Sequence, residues 1–211
     1  MSSDDDHVFT REQLGEALTE LGQIAYDAGR VIDIAIYGGS CLMLASNFRV
    51  ASADVDAVAS EGQGFIDHAA QTIAARRGWP RDWLNDGVRT YLSPHVEGLE
   101  QHELFRTYPS EEKPGLRVFV PAPEYILAMK LMALRLDAAS GKKDFEDILN
   151  LMQVAGMKEK GDIVRLASGF YPEARTSAKL LLAIDHLWNE YNQRLESQAH
   201  ETPRYLGRSG S

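Results

Sequence analysis

Residues 31–58 read VIDIAIYGGSCLMLASNFRVASADVDAV, and the placement of the other elements follows from this segment. Ile32 to Tyr37 is a short apolar run closed by Gly38, the pattern of a buried strand. A Gly-Gly-Ser turn, a short helix and a second strand carrying Asp54 and Asp56 are expected after it. Alternate strand residues share a face, so both carboxylates project together while Val55 turns into the core. Adjacent carboxylates raise each other's proton affinity unless a cation sits between them. Oxygen ligands of this kind suit a hard divalent cation such as Mg²⁺. Upstream, Gly38 and Gly39 let backbone approach a ligand closely, and Ser40 stands where the helix begins. Free amides at a helix start attract phosphate. A phosphate cradle beside a metal-holding carboxylate pair points to Mg²⁺-dependent chemistry on a nucleotide.

Working outward, residues 1–9 are expected to be disordered. Thr10 and Gln13 have capping-box spacing, and Leu14, Leu18, Leu21 and Ile24 follow a helical period up to Ala28-Gly29. On the other side, Gly62 to Arg77 reads as a helix, stopped by Trp79-Pro80. Arg81 to Tyr91 is expected to form a short helix with Trp83 facing the core. Glu103 to Tyr108 and Leu116 to Val120 read as strands around the polar turn PSEEKPG. Helices are then expected over Glu124–Ala139, Asp144–Ala155, Lys160–Ser168 and Glu173–Gln198. The class is therefore α/β (α+β): a small mixed sheet of at least four strands with a helical C-terminal half. The expected division is an α/β core over 1–121, a helical subdomain over 122–200 and a flexible tail over 201–211.

Composition narrows the function classes. A net charge of −9 argues against a broad nucleic-acid-coating surface, which is normally basic. The single cysteine, Cys41, excludes an intrachain disulfide and fits a reducing cytoplasm. No apolar run is long enough to cross a bilayer, and the start MSSDDDH lacks the pattern of a secretion signal. The expectation is a soluble cytoplasmic protein without a membrane partner.

Gly39-Ser40 followed downstream by Asp54-Val55-Asp56-Ala57 resembles the signature of the nucleotidyltransferase superfamily with the DNA polymerase beta-type fold. Arg49, Ser52 and Asp54 resemble the Arg-x-x-Thr-x-Asp approach of its small bacterial toxin and abortive-infection members, with serine in place of threonine. Lys130, Arg135, Lys143, Asp144 and Asp147 follow the order of a second element of that group. The resemblance implies transfer of a nucleoside monophosphate from a nucleoside triphosphate to an acceptor hydroxyl. It implies two Mg²⁺ ions held by Asp54 and Asp56, and nucleotide contacts from Gly39, Ser40, Arg49 and Lys130. Asp144 is implied as a partner of Lys130 or an aid to catalysis. RNA, notably a tRNA end, is the implied acceptor, a protein or small-molecule hydroxyl the alternative, and an antitoxin protein the implied partner.

Each residue also has a plainer reading. Asp54 and Asp56 could be solvated acids of a half-exposed strand, and Ser40 a simple N-cap. Lys130 could snorkel from a mostly apolar helix, and Arg49 could pair with surface acids. Asp144 and Asp147 could stabilise a helix start. Lys130 and Arg135 lie about 140° apart around a helix, so Lys130 is favoured as the phosphate contact. Cys41 reads as a small buried filler. The chain departs from the superfamily at the expected third carboxylate: Leu116 to Val120 contains no acid, and Glu103 is the nearest substitute. A non-catalytic nucleotide- or protein-binding descendant is the competing expectation.

Overall fold

The computed structural model describes residues 7–46, 48–134, 141–171 and 178–201. The expectations placed on 1–6, on Arg135, and on the segments 136–140, 172–177 and 202–211 lie outside the described residues. In chain order the first half comprises β1 (Phe9–Thr10), α1 (Arg11–Asp27), β2 (Ile32–Ile36), α2 (Gly38–Ala45), β3 (Ala51–Ser52), β4 (Val55–Ala59) and α3 (Gln63–Arg77). Next come β5 (Leu84–Asn85), a 3₁₀ turn at Gly87–Tyr91, β6 (His102–Pro109) and β7 (Pro114–Pro121). Among the described residues four helices follow: α4 (Pro123–Ala133), α5 (Gly141–Val154), α6 (Lys160–Phe170) and α7 (Ala178–Glu201). The mixed sheet and helical C-terminal half expected from the sequence are both present.

The sheet runs in the order β5-β4-β2-β7-β6. β2 is its centre, antiparallel to β4 and parallel to β7. Its alternate residues feed two cores. Ile32, Ile34 and Ile36 face α1 and α3, where Leu14, Leu18, Leu21, Ile66 and Ile73 are buried. Ala35 and Tyr37 face the other way, packing with Tyr125, Ala128 and Met129 of α4. A central strand buried on both faces explains why its sequence is almost continuously apolar.

Helix α1 starts with the expected capping box: Gln13 N–H donates to Thr10 Oγ1 at 3.3 Å and Thr10 N–H to Gln13 Oε1 at 3.0 Å. It then lies so close to the β6–β7 hairpin that glycine is required on both sides. A Cβ at Gly115 would fall 1.9 Å from the Gly22 carbonyl oxygen, and one at Gly22 would fall 2.6 Å from Tyr108 backbone.

Two expectations are corrected. Phe9 was placed in a disordered start, yet it is buried and pairs with Ser52 in a two-stranded ribbon. Its ring packs edge-on against Trp79 at 4.8 Å, which supplies burial that the acidic run before it conceals. Arg81 to Tyr91 is not one short helix: only Gly87–Tyr91 is helical, as a 3₁₀ turn, and a strand precedes it. Val55 N–H donates to the Trp83 carbonyl at 2.7 Å, and Leu84 and Asn85 add a parallel strand beside β4. Sheet pairing at an open edge outweighs the weak helical propensity of a segment containing Asn85 and Gly87. Trp83 does face the core, its Nε1–H donating to the Ala70 carbonyl at 2.9 Å. Among the described residues, no helix is long and apolar enough to cross a membrane.

The close approach of α1 makes a paired test. Gly115→Ala should lower the free energy of unfolding in urea by about 3 kcal/mol through overpacking. Gly15→Ala, where a Cβ meets nothing within 4 Å, should raise it by about 0.5–1 kcal/mol.

Candidate functional site

The site forms where β2 and β4 end beside each other. Tyr37 N–H donates to the Asp56 carbonyl at 2.8 Å, which sets the glycine turn directly beside Asp56. Gly38 has φ +63°, and a Cβ there would fall 2.5 Å from Asp56 Oδ2. A Cβ at Gly39 would fall 3.0 Å from Ser52 Oγ. The positive φ favours glycine at 38, and at both positions the lack of a side chain leaves room for Asp56 and Ser52. Helix α2 begins at Gly38 itself, so the N–H groups of its first turn have no intrahelical acceptor.

Asp54, Asp56, Gly38 and Gly39 line one cavity of about 360 Å³. Asp54 lies just before β4 rather than within it and is exposed; Asp56 is half-buried, and Val55 between them is fully buried. Among the described residues, neither carboxylate makes a hydrogen bond or ion pair. Burial, reinforced by the neighbouring Asp54 charge and opposed by Lys130, pushes the Asp56 carboxyl up to about 6.

One expected contact is corrected. Ser40 is 1% exposed, does not line the cavity, and donates its hydroxyl to the Tyr37 carbonyl at 3.0 Å. It sits at the third position of α2 with Tyr37 as N-cap, so its hydroxyl bonds the carbonyl three residues back. Cys41 is buried filler, as expected, and burial pushes its thiol up to about 12.

The opposite wall carries charge from three distant segments. Arg49 grips Asp147 bidentately, Nε to Oδ1 at 3.0 Å and Nη2 to Oδ2 at 2.6 Å. Lys130 Nζ reaches Asp144 Oδ1 and Asp147 Oδ2, both at 2.8 Å. Arg49 also lies 3.6 Å from Asp144. These two cations and two anions cancel. Asp54 and Asp56 are thus left with two negative charges that no side chain of the cluster balances.

The remaining wall is apolar: Val88 and Tyr91 from the 3₁₀ turn, Ile126 and Met129 from α4. The turn is pinned from behind. Tyr171 Oη donates to the Tyr91 carbonyl at 2.7 Å, and Ser93 N–H donates to Tyr125 Oη at 2.9 Å. Sequence reasoning missed this wall, because Arg81 to Tyr91 was expected to be helical. It also missed the central place of Asp147, which the sequence marked only by its spacing from Asp144 and its place at the end of the Lys130-to-Asp147 element.

The expected place of a third acid is filled differently. The parallel register pairs Ala35 with Phe119, putting an aromatic on the sheet face that carries Tyr37. Glu103 is exposed on the outer strand β6 and does not line the cavity. Beside it, His102 Nε2 is 2.9 Å from Tyr37 Oη, and burial lowers the imidazole to about 4. Among the described residues, no three His, Cys, Asp or Glu side chains form a metal-binding group. Two unpartnered carboxylates at an open cavity nonetheless fit Mg²⁺, which takes one or two protein carboxylates and completes its shell with water and phosphate.

Comparison with protein-family models, curated proteins and solved structures returned no match. The geometry of this cavity therefore carries the functional argument.

The folded Asp56 pKa lies above the usual 3.8, so its stabilising contribution is complete below about pH 4 and is lost as pH rises through about 6. Asp56→Asn should accordingly stabilise the fold at pH 8 by on the order of 2 kcal/mol and leave it unchanged at pH 4. Urea unfolding at the two pH values checks this. Asp147→Ala should destabilise by about 3 kcal/mol, because it strands Arg49 and Lys130 without their shared buried partner; its urea midpoint measures the loss.

Proposed function

We propose that this chain is a Mg²⁺-dependent nucleotidyltransferase, transferring a nucleoside monophosphate from a nucleoside triphosphate to an acceptor hydroxyl with release of pyrophosphate. One observation carries the reading: the Gly38-Gly39 turn and the unbalanced Asp54–Asp56 pair open onto the same cavity, opposite Lys130. Bound Mg²⁺ would supply the positive charge that lets a triphosphate approach two carboxylates and would stabilise charge at the phosphorus undergoing in-line displacement. The chain's own groups do the rest. Asp54 and Asp56, once ionised, would hold the ions. The first-turn amides of α2 take phosphate oxygens. Lys130 offers a cation at the wall, while Arg49, locked to Asp147, holds the segment around Ser52 in place.

The apolar wall of Val88, Tyr91, Ile126 and Met129 suits the nucleoside end of the substrate. The resemblance carried by Gly39-Ser40 and Asp54-Val55-Asp56 makes an RNA end, notably tRNA, the first acceptor to try. Protein and small-molecule hydroxyls follow. In that reading the protein acts in the cytoplasm as a toxin, restrained by an antitoxin partner.

A second reading has its own support. With Phe119 on the sheet face where a third acid is expected, and Lys130 held by two aspartates, the fold also suits a module that binds nucleotide without transferring it. One assay separates the two. The protein is incubated with each α-labelled nucleoside triphosphate, Mg²⁺ and total RNA. Label should move to RNA or to protein, and Asp54→Ala or Asp56→Ala should reduce transfer by at least about a hundredfold. Nucleotide retained without any transfer would establish the binding module instead.

A further inference from the structure

Lys130 is held by two aspartates whose circumstances differ. The Asp147 side chain is 3% exposed, accepts a hydrogen bond from Arg49 at 2.6 Å, lies 2.8 Å from Lys130 Nζ as an ion pair, and does not line the cavity. The Asp144 side chain is 44% exposed, lines the cavity, and meets Lys130 Nζ at 2.8 Å. We propose that Asp144 is a displaceable counterion, holding the Lys130 ammonium at the cavity wall until a phosphate oxygen of the nucleotide replaces it, while Asp147 remains bonded and keeps the lysine aimed. The inference rests on the nucleotide-binding reading of the same cavity.

The exchange follows from what each carboxylate loses. Separating Lys130 from Asp147 would remove a bond from a buried anion, where water cannot compensate. Separating it from Asp144 exposes a carboxylate that solvent already reaches, and that gains from its place in the first turn of α5. An ammonium has three N–H donors. One donates to Asp144 Oδ1 at 2.8 Å, while Asp147 Oδ2 lies 2.8 Å away as an ion pair, so a further N–H can meet a phosphate before the bond to Asp144 breaks. Asp147 is thus a positioning residue, and Asp144 a competitor of the substrate rather than a catalytic acid or base.

Opposite signs distinguish the roles. Binding of ATP, GTP, CTP and UTP with Mg²⁺ is measured by calorimetry for the wild type, Asp144→Asn, Lys130→Met and the double variant. Asp144→Asn should bind more tightly by about threefold to tenfold, the range expected for removal of a partly exposed competing charge. The gain should vanish in the Lys130→Met background, which a general effect of surface charge would not do. Wild type that binds one of these nucleotides, with Asp144→Asn binding it equally or more weakly, overturns the counterion role and leaves the nucleotidyltransferase reading standing. Wild type, Asp144→Asn and Lys130→Met all failing to bind ATP, GTP, CTP or UTP with Mg²⁺ overturns both.

Discussion

Asp54 and Asp56 are held side by side by backbone that cannot separate them. Val55 between them is buried in the core, and the Asp56 carbonyl accepts the Tyr37 N–H at 2.8 Å. Burial raises the proton affinity of Asp56, and the neighbouring Asp54 charge adds to the effect. The rest of the cavity follows from this arrangement. The glycine at position 38 is needed because Asp56 occupies the space a side chain would fill. The turn that results places the first amides of α2 beside the acids. Burial of Asp56 is tolerable only where the surrounding fold over-determines it, and β2, buried on both faces, provides that support.

The charged wall shows how a helical appendage becomes part of a site on the sheet. Arg49 comes from the segment between α2 and β3, Lys130 from α4, and Asp144 and Asp147 from α5. Their bonds join segments 98 residues apart in the chain. Asp147 is buried only because Arg49 and Lys130 both pair with it, since a lone carboxylate in that position would lose its hydration without return. The cluster is neutral as it stands, so it neither attracts nor repels a triphosphate strongly until one of its pairs opens. The acid pair therefore carries the net charge at the cavity, and the wall opposite it is neutral.

Much of the fold was legible in local pattern. The β2 run, the capping box at Thr10, the β6–β7 hairpin and the amphipathic helices α3, α5 and α6 all follow from periodicities that a single segment expresses alone. Asp54 and Asp56 were legible because their two-residue spacing and the glycine pair upstream are adjacent in sequence. Ser40 was misjudged by its place at the turn: the helix starts two residues earlier than expected, which turns the hydroxyl inward. The strand at Leu84–Asn85 was hidden because its partner, β4, lies more than twenty residues upstream. Phe9 was hidden by the acidic residues before it, while the tryptophans that bury it come much later in the chain.

The amino-acid sequence by itself determined the mixed α/β class, the order of elements and the residues that can carry charge chemistry, because these depend on periods of two and 3.6 residues and on side-chain type. Tertiary structure alone decided which of those residues meet. The pairing of Arg49 and Lys130 with Asp147, the apolar wall from the 3₁₀ turn, and Phe119 on the face where an acid was sought are outcomes of chain closure over long separations. No local period encodes such contacts. They exist because the sheet and α4 must bury their apolar faces together, and the polar groups at the rim take whichever partners that burial brings within reach.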